Sequence, residues 1–156
     1  MNLEIKISII ILVIGTVLIV IFAGFFNHKE NKDLINQDII EIKTEEQFSN
    51  EMLISQIPSV VIFTSDGLWK RDKNIAPNIA AIKEIIVEKR YEDKINFYKY
   101  TVVTCKDNNI CEKVNVSWLP TIVIFKDESV IEKFEGGGCT IKESKTKLEE
   151  ALENII

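Results

Sequence analysis

The chain has 156 residues, room for one domain and an appendage, and 46% of them are hydrophobic. Its formal net charge is −5, with 24 acidic residues against 19 basic ones. With no basic stripe to displace counterions, this balance argues against nucleic acid as a partner.

From Ile7 to Phe26 the chain reads ISIIILVIGTVLIVIFAGFF, without a charge. A helix rising ~1.5 Å per residue would cover about 30 Å there, the thickness of a bilayer's hydrocarbon core. The exit, Phe22-Ala23-Gly24-Phe25-Phe26, offers no small-x-small cleavage site. The segment is therefore expected to be an uncleaved transmembrane signal-anchor, making the protein single-pass with the lipid bilayer as a partner. Lys6 lies on one flank and Lys29 and Lys32 on the other, so the side of the membrane is unresolved. Residues 1–6 are then a short N-terminal tail, 27–37 a polar linker, and 38–156 one compact domain.

Within that domain the predicted elements alternate in type. Ile39 to Ile42 is a short strand. Thr44-Glu45-Glu46-Gln47 is a capping box opening a helix through about Ser55. Ser59 to Phe63 is a strand apolar enough to be buried on both faces. A long helix follows, with Ile75, Ile79, Ile82 and Ile86 along one face and Pro77 inside it. Ile95 to Val103 is a third strand, and a short helix around Asn108 to Val114 leads to Pro120. Thr121 to Phe125 is a β-branched strand, Asp127-Glu128 a tight turn, and Val130 to Phe134 its hairpin partner. Thr140 to Glu143 is a second capping box, opening a closing helix. The order β-α-β-α-β-α-β-β-α predicts an α/β fold, a mixed β-sheet flanked by helices on both faces.

Three local signatures sharpen this. Trp118-Leu119-Pro120-Thr121 before an apolar strand resembles the cis-proline loop of thioredoxins. Ile75-Ala76-Pro77 resembles that family's kinked helix, and Gly136-Gly137-Gly138 its glycine-bearing turn before the last helix. From Leu34 to Ile156 the chain resembles a thioredoxin-like domain. The resemblance implies a cis Pro120 facing a Cys-x-x-Cys at the start of the long helix. That place holds Leu68-Trp69-Lys70-Arg71, or Trp69-Lys70-Arg71-Asp72 in the other register, and neither contains a thiol. The family's exchange chemistry needs an exposed thiolate with a resolving thiol beside it, which this site lacks.

Other chemistry is poorly provided for. The single histidine, His28, stands beside the expected anchor, so no Ser-His or Cys-His pair can form within the domain. No glycine-rich phosphate loop follows a strand, and no cofactor is expected. Cys105 and Cys111 lack the spacing and the histidine that would complete a zinc site, so no metal is expected either. The expectation for this pair is two buried free thiols, with a structural disulfide and a redox pair as alternatives. Cys139 should lie on the same edge as Pro120, as an inert surface thiol rather than a nucleophile. Asn115-Val116-Ser117 is a glycosylation sequon that matters only in a secretory lumen.

Trp69 and Trp118 map to loops on the edge where the family receives an extended polypeptide. They are either a binding surface, with Leu119 and Pro120, or filling for the space of the missing dithiol. The function expected is a membrane-anchored protein-binding or scaffolding module, not an enzyme, whose partner is a protein or extended peptide at the Pro120 edge. The alternative is a thiol-disulfide oxidoreductase that uses Cys105, Cys111 or Cys139 in a non-standard way. A second alternative is a structural membrane protein of a virus particle, in a host membrane or virion.

Overall fold

A computed structural model describes residues 39–70, 76–106, 108–136 and 139–156 of the chain. The expected anchor at 7–26 and the linker at 27–37 lie outside the described residues. Among the described residues, no helix is long and apolar enough to cross a membrane. Gln37–Ile156 forms a compact unit of its own.

The strands are β1 (Ile40–Ile42), β2 (Ser59–Thr64), β3 (Asn96–Thr101), β4 (Thr121–Lys126) and β5 (Ser129–Glu135). The helices are α1 (Glu45–Ile54), α2 (Asp66–Lys70), α3 (Pro77–Val87), α4 (Asn109–Lys113) and α5 (Ile141–Glu153). The sheet order is β1-β3-β2-β4-β5, with β1, β3 and β2 parallel and β4 and β5 antiparallel to their neighbours. β2 is central and all six of its residues are buried, as its unbroken apolar run requires.

The period of two along the strands divides the core. Val60, Ile62, Phe97, Ile122 and Ile124 face α3 and α5, where Ile82, Ile85, Leu148 and Leu152 meet them. Val61, Phe63, Tyr98, Val123 and Phe125 face α1 and α4 through Phe48, Met52 and Ile110. Ile62, Ile82, Leu148 and Leu152 are wholly buried, each worth ~1.5–3 kcal/mol relative to exposure. Two layers of helices therefore hold one sheet from both sides.

The ends of the elements follow local chemistry. The Thr140 hydroxyl accepts from the Glu143 N–H at 3.2 Å while the Glu143 carboxylate accepts from the Thr140 N–H at 2.8 Å, completing the second capping box. The first is half made: Thr44 accepts from the Gln47 N–H, but Gln47 reaches back to the Lys43 N–H at 3.0 Å instead of Thr44. Asp127 and Glu128 both hold positive φ, 50° and 64°, as a two-residue hairpin turn demands.

One expected element is corrected. Pro77 does not kink the inside of a long helix; it is the first residue of α3, with Ala76 as N-cap. A proline costs nothing at that position, because the N–H it lacks would have had no partner. Ile79, Ile82 and Ile86 are buried on one face as their spacing predicts, and Ile75 lies outside the described residues.

Candidate functional site

The candidate site is built at one end of the sheet. Phe63 near the end of β2 pairs with Thr121 at the start of β4, and Thr121 pairs with Glu135 at the end of β5. The loops leaving β2 and β5 and the loop entering β4 thus meet at a common edge. The Leu119–Pro120 bond there is cis. Pro120 is buried, and its carbonyl accepts from the Gly136 N–H at 2.8 Å. One residue on, the Thr121 hydroxyl donates to the Trp118 carbonyl at 2.8 Å.

The four expected binding residues take different places along this edge. Trp118 is 71% exposed, and its carbonyl is held by the Thr121 hydroxyl. Leu119 is half-buried and packs on the α1 and α4 side of the core. Trp69, in α2, lies half-buried against the opposite side. The Lys83 ammonium stands 4.0 Å from its ring centroid and donates to its carbonyl at 2.7 Å. Lys99 stands 5.5 Å from the same ring and also binds Glu41 at 2.9 Å, which holds the Glu41 carboxyl below its ordinary range. Trp69 therefore spends its indole on internal packing, and Trp118 presents its ring to solvent. In the place of the dithiol, Leu68 to Lys70 form the end of α2, while Arg71 and Asp72 lie outside the described residues.

The cysteines require a correction. Cys105 and Cys111 are not two free thiols but a disulfide, with Cα atoms 5.4 Å apart. Asn108 is the physical reason. Its side chain caps α4 by accepting from the Cys111 N–H at 3.0 Å, and its own N–H donates to the Cys105 carbonyl at 3.3 Å. That turn folds Cys111 back onto Cys105. Cys111 is wholly buried and Cys105 half-exposed. Cys139 is unpaired and half-buried, with its sulfur 3.8 Å from the Lys147 ammonium. Asn115 of the sequon is exposed, at φ 54°.

Sequence reasoning missed Lys83 and Gly136 as individual contributors. Gly136 belonged to a recognised glycine turn. Nothing local marks Lys83, because it reads as an ordinary helix residue. The assembled edge offers a partner an aromatic ring and a fixed turn of backbone, and places no thiol in the loop after β2.

A mixed sheet between paired helix layers, with a cis-proline entering an inner strand against a glycine, defines the thioredoxin-like class. The Thioredoxin family model matches residues 39–153, and the chain belongs to that family. No curated protein matches the chain. Among solved structures, it is similar to a Malassezia sympodialis thioredoxin, at 21% identity and a TM-score of 0.56 over 75% of this chain and 90% of that one. It is also similar to thioredoxin O1 from Arabidopsis thaliana in its oxidised state, at 23% identity and 0.52 over 76% and 97%. A thioredoxin from Trypanosoma brucei brucei gives 24% and 0.53 over 75% and 89%.

Proposed function

We propose that the domain is a protein-binding module, held at a membrane by residues 7–26, that takes an extended segment of a partner along Trp118, Leu119 and Pro120. The observation that carries this reading is the exposure of Trp118, 71%, on a backbone pinned by Thr121 and Gly136. A large ring on a fixed backbone buries much area on binding and loses few rotamers. The loop that holds the dithiol in thioredoxins here carries Leu68, Trp69 and Lys70, so that loop brings no thiol to the edge.

The test is to select linear peptides on the 37–156 fragment, a compact unit that contains both halves of the core. Binding of a selected peptide is then measured by calorimetry for the wild type and Trp118→Ala. A hot-spot ring should cost at least ~2 kcal/mol, about thirtyfold in affinity, with the urea midpoint unchanged. Equal affinity in the two proteins would overturn the reading.

The Cys105–Cys111 disulfide favours a second reading, oxidation of a partner dithiol. A partner thiolate would attack the half-exposed Cys105 sulfur and expel Cys111 as a thiolate. The partner's second thiolate would then displace Cys105, leaving the partner oxidised and both cysteines reduced. Oxidation of a dithiol peptide by the fragment, lost in Cys105→Ser, would support this reading over the first.

A further inference from the structure

Asn115-Val116-Ser117 is the one Asn-x-Ser/Thr stretch of the chain, and nothing in the binding of a peptide uses it. Such stretches are common by chance, so the fold must admit a sugar before one can be assigned. A glycan is bulky and solvated, and needs an asparagine whose amide is in water and bonded to nothing.

Asn115 meets that demand. It is exposed, and among the described residues its side-chain amide has no hydrogen-bond partner. Its backbone makes all of its bonds: the N–H donates to the Glu112 carbonyl at 3.0 Å, and the carbonyl accepts from the Lys133 ammonium at 3.0 Å. Its φ of 54° is left-handed, a conformation that asparagine tolerates better than most residues with a side chain. Val116 is buried, and its N–H donates to the Cys111 carbonyl at 2.8 Å. Ser117 is exposed again. The middle residue thus fixes the stretch to the domain and leaves open the two that a glycosyl transferase reads.

The disulfide is a second and independent observation. Cys105, joined to Cys111, is half-exposed. A link so open to solvent meets the reducing thiol pools of a cytosol, whereas disulfides persist in secretory lumens and on cell surfaces. Cys111 lies in α4, and Asn115 follows the residue that caps the end of that helix. Both marks of an oxidising lumen therefore fall on one turn of structure.

We infer that the domain lies on the lumenal side of a secretory membrane and carries an N-linked glycan on Asn115, which requires residues 7–26 to reach that membrane and requires nothing of Trp118. The donor is a lipid diphosphate-linked oligosaccharide. The Asn115 amide nitrogen bonds to the anomeric carbon of the first sugar, and the bond from that carbon to the diphosphate oxygen breaks. The lipid diphosphate leaves with the electron pair, and the amide gives up one proton.

Translation of the full-length chain with endoplasmic-reticulum microsomes tests this. The product should rise on a gel by one glycan and fall back on treatment with a peptide-N-glycosidase. Asn115→Gln and Ser117→Ala should each abolish the rise, and Ser117→Thr should keep it. Protease added outside intact microsomes should spare the shifted domain. Protein taken from its native membrane should drop by the same step under the glycosidase. A protected but unshifted domain, a domain digested from outside, a shift that survives Asn115→Gln, or native protein unmoved by the glycosidase would overturn the assignment. Of these, a digested domain that stays in the pellet after carbonate washing would overturn it while leaving the anchor in place. Trp118→Ala should be glycosylated as the wild type is, so failure of the sugar and failure of the peptide reading give different results.

Discussion

The main-chain N–H of Gly136 donates to the Pro120 carbonyl at 2.8 Å, and a Cβ on Gly136 would stand 2.8 Å from the Pro120 Cδ and 2.9 Å from that same oxygen. One contact is a rigid ring and the other is backbone, so neither neighbour can yield cheaply. The glycine is there because the loop after β5 must touch the loop before β4.

Gly136→Ala should therefore force these two loops apart. The expected loss is about 1–3 kcal/mol, the usual cost of overpacking a closed contact. Urea unfolding of the 37–156 fragment measures it. The same variant should weaken peptide binding, because it displaces the backbone from which Trp118 projects. An unfolding midpoint equal to that of the wild type would show that the two loops separate freely.

The disulfide gives a prediction of different origin. Cys105 and Cys111 are six residues apart, and closing so short a loop removes only modest freedom from the unfolded chain. Reduction should lower the stability of the fragment by about 2 kcal/mol on the chain-entropy account. Dithiothreitol should shift the urea midpoint of the wild type and leave that of a Cys105→Ala, Cys111→Ala double variant where it was. A wild-type midpoint insensitive to the reductant would mean that the link constrains nothing in the folding equilibrium.

Much of this architecture was legible in the sequence, and the reasons lie in particular residues. Val60 to Phe63 and Ile122 to Phe125 announce inner strands because only a strand buried on both faces tolerates so unbroken an apolar run. Thr140 and Glu143 mark a helix start because their reciprocal bonds need nothing beyond the next three residues. Pro77 was harder. The apolar spacing runs on through Ile75, so a proline at the first helical position looks like one inside a helix. The two tryptophans were harder still, since what covers Trp69 comes from Lys83, fourteen positions away, and from β3. The union of Cys105 with Cys111 depended on a turn made by one side chain, Asn108.

Residues 7–26 carry a prediction that rests on sequence alone. If they span a bilayer, full-length protein should remain in the membrane pellet after an alkaline carbonate wash, while the 37–156 fragment stays in the supernatant. Release of the full-length chain by the wash would mean that the segment is cleaved or not inserted. Such a result would leave the peptide-binding edge untouched and remove its proposed location.

Tyr98 supplies the pH dependence. Its ring is 2% exposed, and its hydroxyl donates to the Glu51 carboxylate at 2.8 Å. Burial, and then that bond to an anion, push its ionisation well above the ordinary phenol range. The folded state thus holds the phenol proton more tightly than the unfolded one. Its contribution to stability is fully present below the unfolded value of about 10 and is lost as pH rises from there through the folded value. Above pH ~10 this group alone should lower stability by up to about 1.4 kcal/mol per pH unit. Lysines and the other tyrosines titrate in the same window, so the quantity to measure is a difference. Urea unfolding of the wild type and Tyr98→Phe between pH 8 and 11, an interval set by the ~10 reference value, supplies it. Tyr98→Phe should be weaker by about 1 kcal/mol at pH 8, where Glu51 has lost its donor, and should close that gap as the pH rises. A gap that stays constant to the alkaline limit would show that Tyr98 ionises alike in both states, and that its bond to Glu51 does not hold the proton.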